Sequence, residues 1–187
     1  MIRFDLYCEI GSAFFQEEYQ DFTNTIWIEA KSIALNFKHK GQQVSMLRKL
    51  GQLLAQVKQW EKAEMVASLI NDSEEKAIAL QQLGHTLVQA QEWERAKTTL
   101  AKAEVAIYEV EESQKKTKIF YELILTLLQI QEWENVVRLI HNLKEDEVKA
   151  DALRILGLAL TKAKQQEDTH TIWIQAEAVA QAIDRSV

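Results

Sequence analysis

A chain of 187 residues, 47% hydrophobic and 27% charged, suits one or two compact domains or a short repeat array. It has no proline and only five glycines, so the punctuation of strands and tight turns is nearly missing and helix is expected almost throughout. A net charge of −6 without a basic run argues against nucleic-acid binding, and no apolar stretch is long enough to cross a membrane.

The first segment, MIRFDLYCEIGSAFF, puts Asp5 and Glu9 where a signal peptide needs unbroken apolar residues. It also holds the lone Cys8, which can form no intrachain disulfide and fits a reducing, cytoplasmic setting. FTNTIWIEAKSIA follows from Phe22, and QWEKAE begins at Gln59. EEKAIALQQLG (Glu74–Gly84), EWERAK from Glu92 and TTLAKAEVAI (Thr98–Ile107) come next. Then EWENVV starts at Glu132, EVKADALRILG spans Glu147–Gly157, and DTHTIWIQAEAVA (Asp168–Ala180) nearly repeats the segment at Phe22.

These segments recur at fixed intervals, the mark of a repeat array. Trp60, Trp93 and Trp133 are 33 and then 40 residues apart, and Gly11, Gly84 and Gly157 are each 73 apart. Five units result, 1–40, 41–73, 74–113, 114–146 and 147–187, alternately long and short. The extra seven residues are close to two helical turns, so they preserve the inward face. They can be divided between one unit's second helix and the next unit's first.

Each unit reads as two helices. In the third, Leu80, Leu83, Leu87 and Ala90 recur at three and four spacing, as do Ala96, Leu100, Ala103 and Ile107. Ser73, Ser113 and Asp146 mark equivalent helix starts as polar caps. Carried forward, that position falls on Ser186, so no polar capping element closes the array. The expectation is an excerpt of a longer array, or an end that packs on something.

The pattern resembles a tetratricopeptide repeat. In the third unit Leu80, Leu83-Gly84, Leu87, Trp93, Ala96, Leu100 and Ala103 match that family's spacing. The second has Leu47, Leu50-Gly51, Leu54, Trp60, Ala63, Ala67 and Ile70, and the first has Tyr7, Ile10-Gly11, Phe14, Gln20, Thr23, Trp27 and Ala30. The fifth keeps Leu153, Leu156-Gly157, Leu160, Trp173 and Ala176, with Gln166 and Thr169 at the turn and small positions. The fourth carries Leu123-Ile124 in place of Leu-Gly, with Trp133 and Val136. The family's closing proline is missing and unit length alternates. The resemblance implies an all-α, right-handed αα superhelix of five helix pairs forming a single domain over 1–187.

Nothing in the sequence assembles an enzyme. No phosphate-binding glycine loop or nucleophile-elbow motif occurs, and His39, His85, His141 and His170 lack metal-ligand spacing. No catalytic residue, cofactor or metal is therefore assigned, and the five tryptophans are read as packing residues.

The resemblance implies instead a concave groove lined by the first helices. Its column just before the turn holds Gln16, Gln56, Gln89, Gln129 and Lys162. One turn earlier stand Ser12, Gln52, His85, Leu125 and Leu158, and one turn earlier again Cys8, Arg48, Gln81, Tyr121 and Arg154. Four-residue steps keep each unit's three on one helical face. Glutamine amides can pair with an extended peptide backbone without demanding particular side chains, although glutamine is also a good exposed helix former. Arg48, Lys118, Arg154 and Lys162 outnumber Asp5 and Asp151, which favours an acidic segment. Family members that clamp a chaperone's terminal carboxylate use Lys and Asn where this chain has Cys8 and Ser12, so that ligand is not expected.

The expected role is a non-catalytic scaffold that binds a peptide or protein surface, with no nucleic-acid or membrane partner. Two alternatives are self-association through uncapped ends and service as a sensor or regulatory arm of a larger signalling protein, the array style being similar to repeat arms of bacterial, especially cyanobacterial, multidomain proteins. A helical-repeat RNA binder is disfavoured by the acidic composition and by unit lengths that break a one-unit-one-base register.

Overall fold

The computed structural model describes residues 2–15 and 20–163, together with the single positions 170, 174, 177, 178 and 181. Among the described residues there are nine helices and no strand. They are α1 (Ile2–Phe15), α2 (Gln20–Leu35), α3 (Lys40–Gln56), α4 (Trp60–Ser68), α5 (Ser73–Gln89), α6 (Trp93–Tyr108), α7 (Ser113–Gln129), α8 (Trp133–Asn142) and α9 (Asp146–Ala163). Helices α1/α2, α3/α4, α5/α6 and α7/α8 pack as pairs, while α1, α3, α5, α7 and α9 touch in succession. Each second helix also touches the first helix of the next pair. The result is a stack of helix pairs in which one layer of first helices lies against a layer of second helices.

Apolar residues at three and four spacing explain the layers. Leu47, Leu50 and Leu54 on α3, Leu80, Leu83 and Leu87 on α5, and Leu123, Ile124 and Leu127 on α7 are all buried. They meet Ala63, Val66 and Ala67 on α4, Ala96, Leu100 and Ala103 on α6, and Val136 and Ile140 on α8, also buried. Ala90 leaves the expected stripe. It is the C-cap of α5 and is exposed, because the chain turns there and its side chain no longer faces α6.

Among the described residues the alternating unit length falls mainly in the second helices. The first helices α3, α5, α7 and α9 have 17, 17, 17 and 18 residues, whereas α2, α4, α6 and α8 have 16, 9, 16 and 10. The division of the extra residues between the two layers is thus corrected. First helices stack on one another, and unequal lengths would uncover apolar stripe at each step; the second helices touch mainly first helices and are free to differ.

The helix starts also shift by one residue. Asp72, not Ser73, caps α5, its carboxylate accepting from the Glu75 N–H at 2.9 Å, while the Ser73 hydroxyl donates to Glu109. Glu112 holds the N-cap of α7 without a side-chain cap bond, and Asp146 lies in the first turn of α9, where a carboxylate meets the positive end of the helix dipole.

The three intra-pair turns share one geometry. Lys58, Gln91 and Gln131 take φ of 58°, 62° and 60°. The next N–H in each donates back across the turn, Gln59 to Leu54 O, Glu92 to Leu87 O and Glu132 to Leu127 O, while Lys58, Gln91 and Gln131 donate to Ala55, Val88 and Leu128. That is the Schellman closure, which ordinarily has glycine at the left-handed position. A left-handed conformation costs an ordinary residue about 1–2 kcal/mol, partly offset because glycine loses more entropy on folding. Gln91→Gly is therefore expected to stabilise the protein by about 0.5–1 kcal/mol, read as a higher midpoint in urea. Gln91→Ala should not.

Candidate functional site: a groove across the first helices

A groove of about 910 Å³ crosses α3, α5 and α7. Helical spacing of four places Arg48 and Gln52 on α3, Gln81 and His85 on α5, and Leu125 and Gln129 on α7 along its walls, with Lys118 and Glu122 completing the α7 side. Six of the fifteen expected positions thus line it.

The other nine are placed differently. Cys8 is buried at 1% exposure, which removes it from any wall that a partner could reach. Burial also pushes its thiol up to about 11, so the nucleophilic thiolate is scarce at neutral pH. Thiol reagents should accordingly label the native protein far more slowly than the urea-unfolded chain, measured as thiol release at neutral pH. Ser12 is half-buried, and its hydroxyl has no hydrogen-bond partner among the described residues. Gln16 lies outside the described residues. Gln56 and Gln89 are exposed at the ends of α3 and α5, and Lys162 and Leu158 are exposed on α9. Tyr121 and Arg154 both turn to Asp151, the hydroxyl by a short hydrogen bond and the guanidinium at 2.6 Å. The Tyr121 bond, aided by Arg154, holds Asp151 below the usual carboxylate range and raises Tyr121.

The amides are largely engaged with the protein itself. Gln81 donates to Thr126 Oγ1 at 3.2 Å and to the Glu122 carbonyl at 3.4 Å, tying α5 to α7. Gln52 donates to Gln82 Oε1 at 3.3 Å, tying α3 to α5, and Gln89 pairs with His85 at 2.9 Å. Gln56 and Gln129 have no such bond among the described residues. Of these two only Gln129 lines the groove, so a peptide backbone there would meet one free amide and would exchange partners with the rest.

Charge is similarly redistributed. Arg48 pairs with Glu75 at 2.9 Å, Asp5 with Lys49 at 2.5 Å, and Lys115 with Glu74 and Glu112 at 3.0 Å each. The lining holds three cations, Arg48, Lys115 and Lys118, against two carboxylates, Glu74 and Glu122. Lys118 is the one lining cation with no carboxylate partner among the described residues. Gln82, Lys115, Glu74 and Glu122 were not among the expected groove residues. Their places follow from how far each first helix slides past its neighbour, and spacing within a helix carries no signal of that.

The remaining chemical candidates scatter. His39 is the exposed N-cap of α3, His141 is exposed in the last turn of α8, and His170 is exposed. Among the described residues no three of His, Cys, Asp and Glu gather as metal ligands, and no helix is long and apolar enough to cross a membrane. Of the tryptophans, Trp27 and Trp133 are buried and Trp60 packs against the core. Trp93 is 45% exposed, which corrects its reading as a packing residue; Trp173 lies outside the described residues.

No protein-family model matches the sequence, and no curated protein matches it. Among solved structures, the chain is similar to Ton1535 from Thermococcus onnurineus NA1, at 16% identity and a TM-score of 0.44 over 95% of this chain. It spans about half the length of that protein, 53%. It is also similar to a variant of a Podosopora anserina protein, described as a kinesin light chain with nearly identical TPR-like repeats. That likeness has 12% identity and a TM-score of 0.48, and covers 98% of this chain and 97% of the other. The chain itself is an all-helical stack of helix pairs, with a groove whose walls come from three successive pairs.

Proposed function

We propose that this chain is a non-catalytic protein-interaction scaffold that holds an extended peptide segment along the concave face of its helix stack, with acidic segments favoured. The observation that carries the reading is the continuous groove over α3, α5 and α7, fixed in shape by cross-helix bonds from Gln52, Gln81 and Arg48. Walls built on packed helices are already in place before a ligand arrives, which lowers the ordering cost of binding. The excess of one lining cation, with Lys118 uncompensated, favours a carboxylate on the partner.

The test is a crosslinking pull-down from the source cell with wild type and the double variant Lys118→Glu/Gln129→Ala. Both residues line the groove, are exposed and are bonded to nothing among the described residues, so the variant keeps its fold. Loss of particular partners from the variant supports groove binding, and equal recovery of every partner overturns it.

Self-association is a second reading, favoured by the exposure of Ile2 and Leu6 on α1 at 87% and 52%. Sedimentation that depends on concentration in wild type but not in Leu6→Lys would support it.

A further inference from the structure

Gly11, Gly51 and Gly84 stand at equivalent places in their pairs, each 16 residues before one residue of the second helix. At Gly11 that residue is Trp27, whose ring carbons lie 3.0 Å from where a Cβ would be. At Gly84 it is Leu100, at 2.4 Å. At Gly51 it is Ala67, which ends at its own Cβ and has no atom within 4 Å of where the glycine's Cβ would be. The nearest atoms to a Cβ on Gly51 are Ala63 O at 3.8 Å and Val66 Cγ1 at 3.9 Å. Gly11 and Gly84 are buried, whereas Gly51 is partly exposed.

This hollow is continuous with the groove, since Gly51, Ala63 and Ala67 line the same cavity as Arg48, His85 and Lys118. The apolar core breaks there too. Ala67, Leu80 and Ala103 form a small cluster of their own between the two large ones. A seat that a leucine fills from inside in the third pair is open from outside in the second.

We propose that the hollow between α3, α4 and α5 is an anchor pocket for one leucine-sized aliphatic side chain of the bound segment, and that Lys118 takes a carboxylate farther along that segment. The proposal rests on the groove reading and deepens it. Leu100 supplies the shape, because in the equivalent seat a leucine side chain packs directly on the glycine backbone. Lys118 supplies the charge complementarity, as the lining cation left without a carboxylate among the described residues; Glu122, one turn on, repels an acid placed beyond it. From α3 to α7 is two helix spacings of about 9 Å, so roughly five residues of extended chain separate the two contacts.

The experiment uses fluorescein-labelled peptide pools and anisotropy. The pools are random except for one fixed position, Leu or Ala, and for Glu or Lys about five residues to either side. Wild type should bind the Leu pools about ten-fold or more tighter than the Ala pools, as burial of one leucine side chain requires. It should prefer Glu to Lys. Ala67→Leu fills the pocket from within, so its thermal midpoint should rise and its preference for Leu over Ala should vanish. If Ala67→Leu does not fold, Ala67→Val reads the same effect at smaller size. Lys118→Glu should keep the leucine preference and reverse the charge preference. Equal binding of Leu and Ala pools by wild type, no preference for Glu, or a leucine preference that survives in the filled variant overturns the proposal. Binding without leucine preference leaves the groove reading standing, whereas binding of no pool overturns both.

Discussion

Gly84→Ala is expected to destabilise the protein by about 1–2 kcal/mol, and Gly51→Ala to stabilise it by up to about 1 kcal/mol. Both replace a mid-helix glycine, and on propensity alone both would gain about 1 kcal/mol. The neighbours decide the sign. A methyl on Gly84 would lie 2.4 Å from Leu100 Cδ2 and 2.7 Å from its Cγ. Leu100 is 1% exposed, so it cannot swing away without displacing other buried side chains. Overpacking of that kind costs about 1–3 kcal/mol and outweighs the propensity gain. On Gly51 the same methyl meets only ordinary van der Waals contacts. Paired urea titrations of the two variants measure the difference, and a Gly84→Ala/Leu100→Ala double variant should cost less than the two single changes added together, because the methyl enters the space the leucine leaves. Equal effects at Gly51 and Gly84 would show that the pairs α3/α4 and α5/α6 do not approach as described.

Trp27→Ala is expected to cost about 3–5 kcal/mol, and Trp93→Ala less than about 1 kcal/mol. Trp27 is 3% exposed and its ring rests on Gly11, so truncation leaves a large cavity between α1 and α2 that backbone already in contact cannot collapse to fill. Its neighbours divide by face: Ile26 is buried and Ile28 is 59% exposed. Trp93 opens α6 with 45% of its surface in solvent and has much less contact to lose. Because stack energies are mostly between neighbours, the loss at Trp27 should melt α1 and α2 before the rest, seen as reduced hydrogen-exchange protection over Ile2–Leu35 with α5 and α6 unchanged. Uniform loss of protection would mean that the stack unfolds as one unit.

Bonds between successive pairs set register more than strength. Glu61–Arg95 at 3.4 Å and Lys97–Glu132 at 2.8 Å each join one pair to the next, and Arg138 grips Glu104 through two hydrogen bonds. The three cations are each a little under half exposed, and a pair so open to water contributes about 0–1 kcal/mol. Stability in the stack comes instead from the apolar layers, in which Leu50, Ile70, Ala77, Leu123 and Ile140 are wholly buried.

The sequence by itself determined the helix pairs, the intra-pair turns at QW and EW, and the leucine and alanine positions of the core. All follow from a 3.6-residue period and from turn chemistry, which act within a few residues of one another. The tertiary structure decided what depends on how one helix sits against the next. Ala67 and Leu100 share a place in the repeat, yet only the packing shows that one leaves Gly51 open and the other closes Gly84. Cys8 and Arg48 share a groove column, yet one is buried under its neighbours and the other reaches across to Glu75. Lys58, Gln91 and Gln131 carry no sequence mark of their left-handed backbone, because closing the Schellman turn forces that conformation on whichever residue stands there. Distances between helices are set by the size of the side chains on both sides at once, and a single strand of letters records those sizes without recording which ones meet.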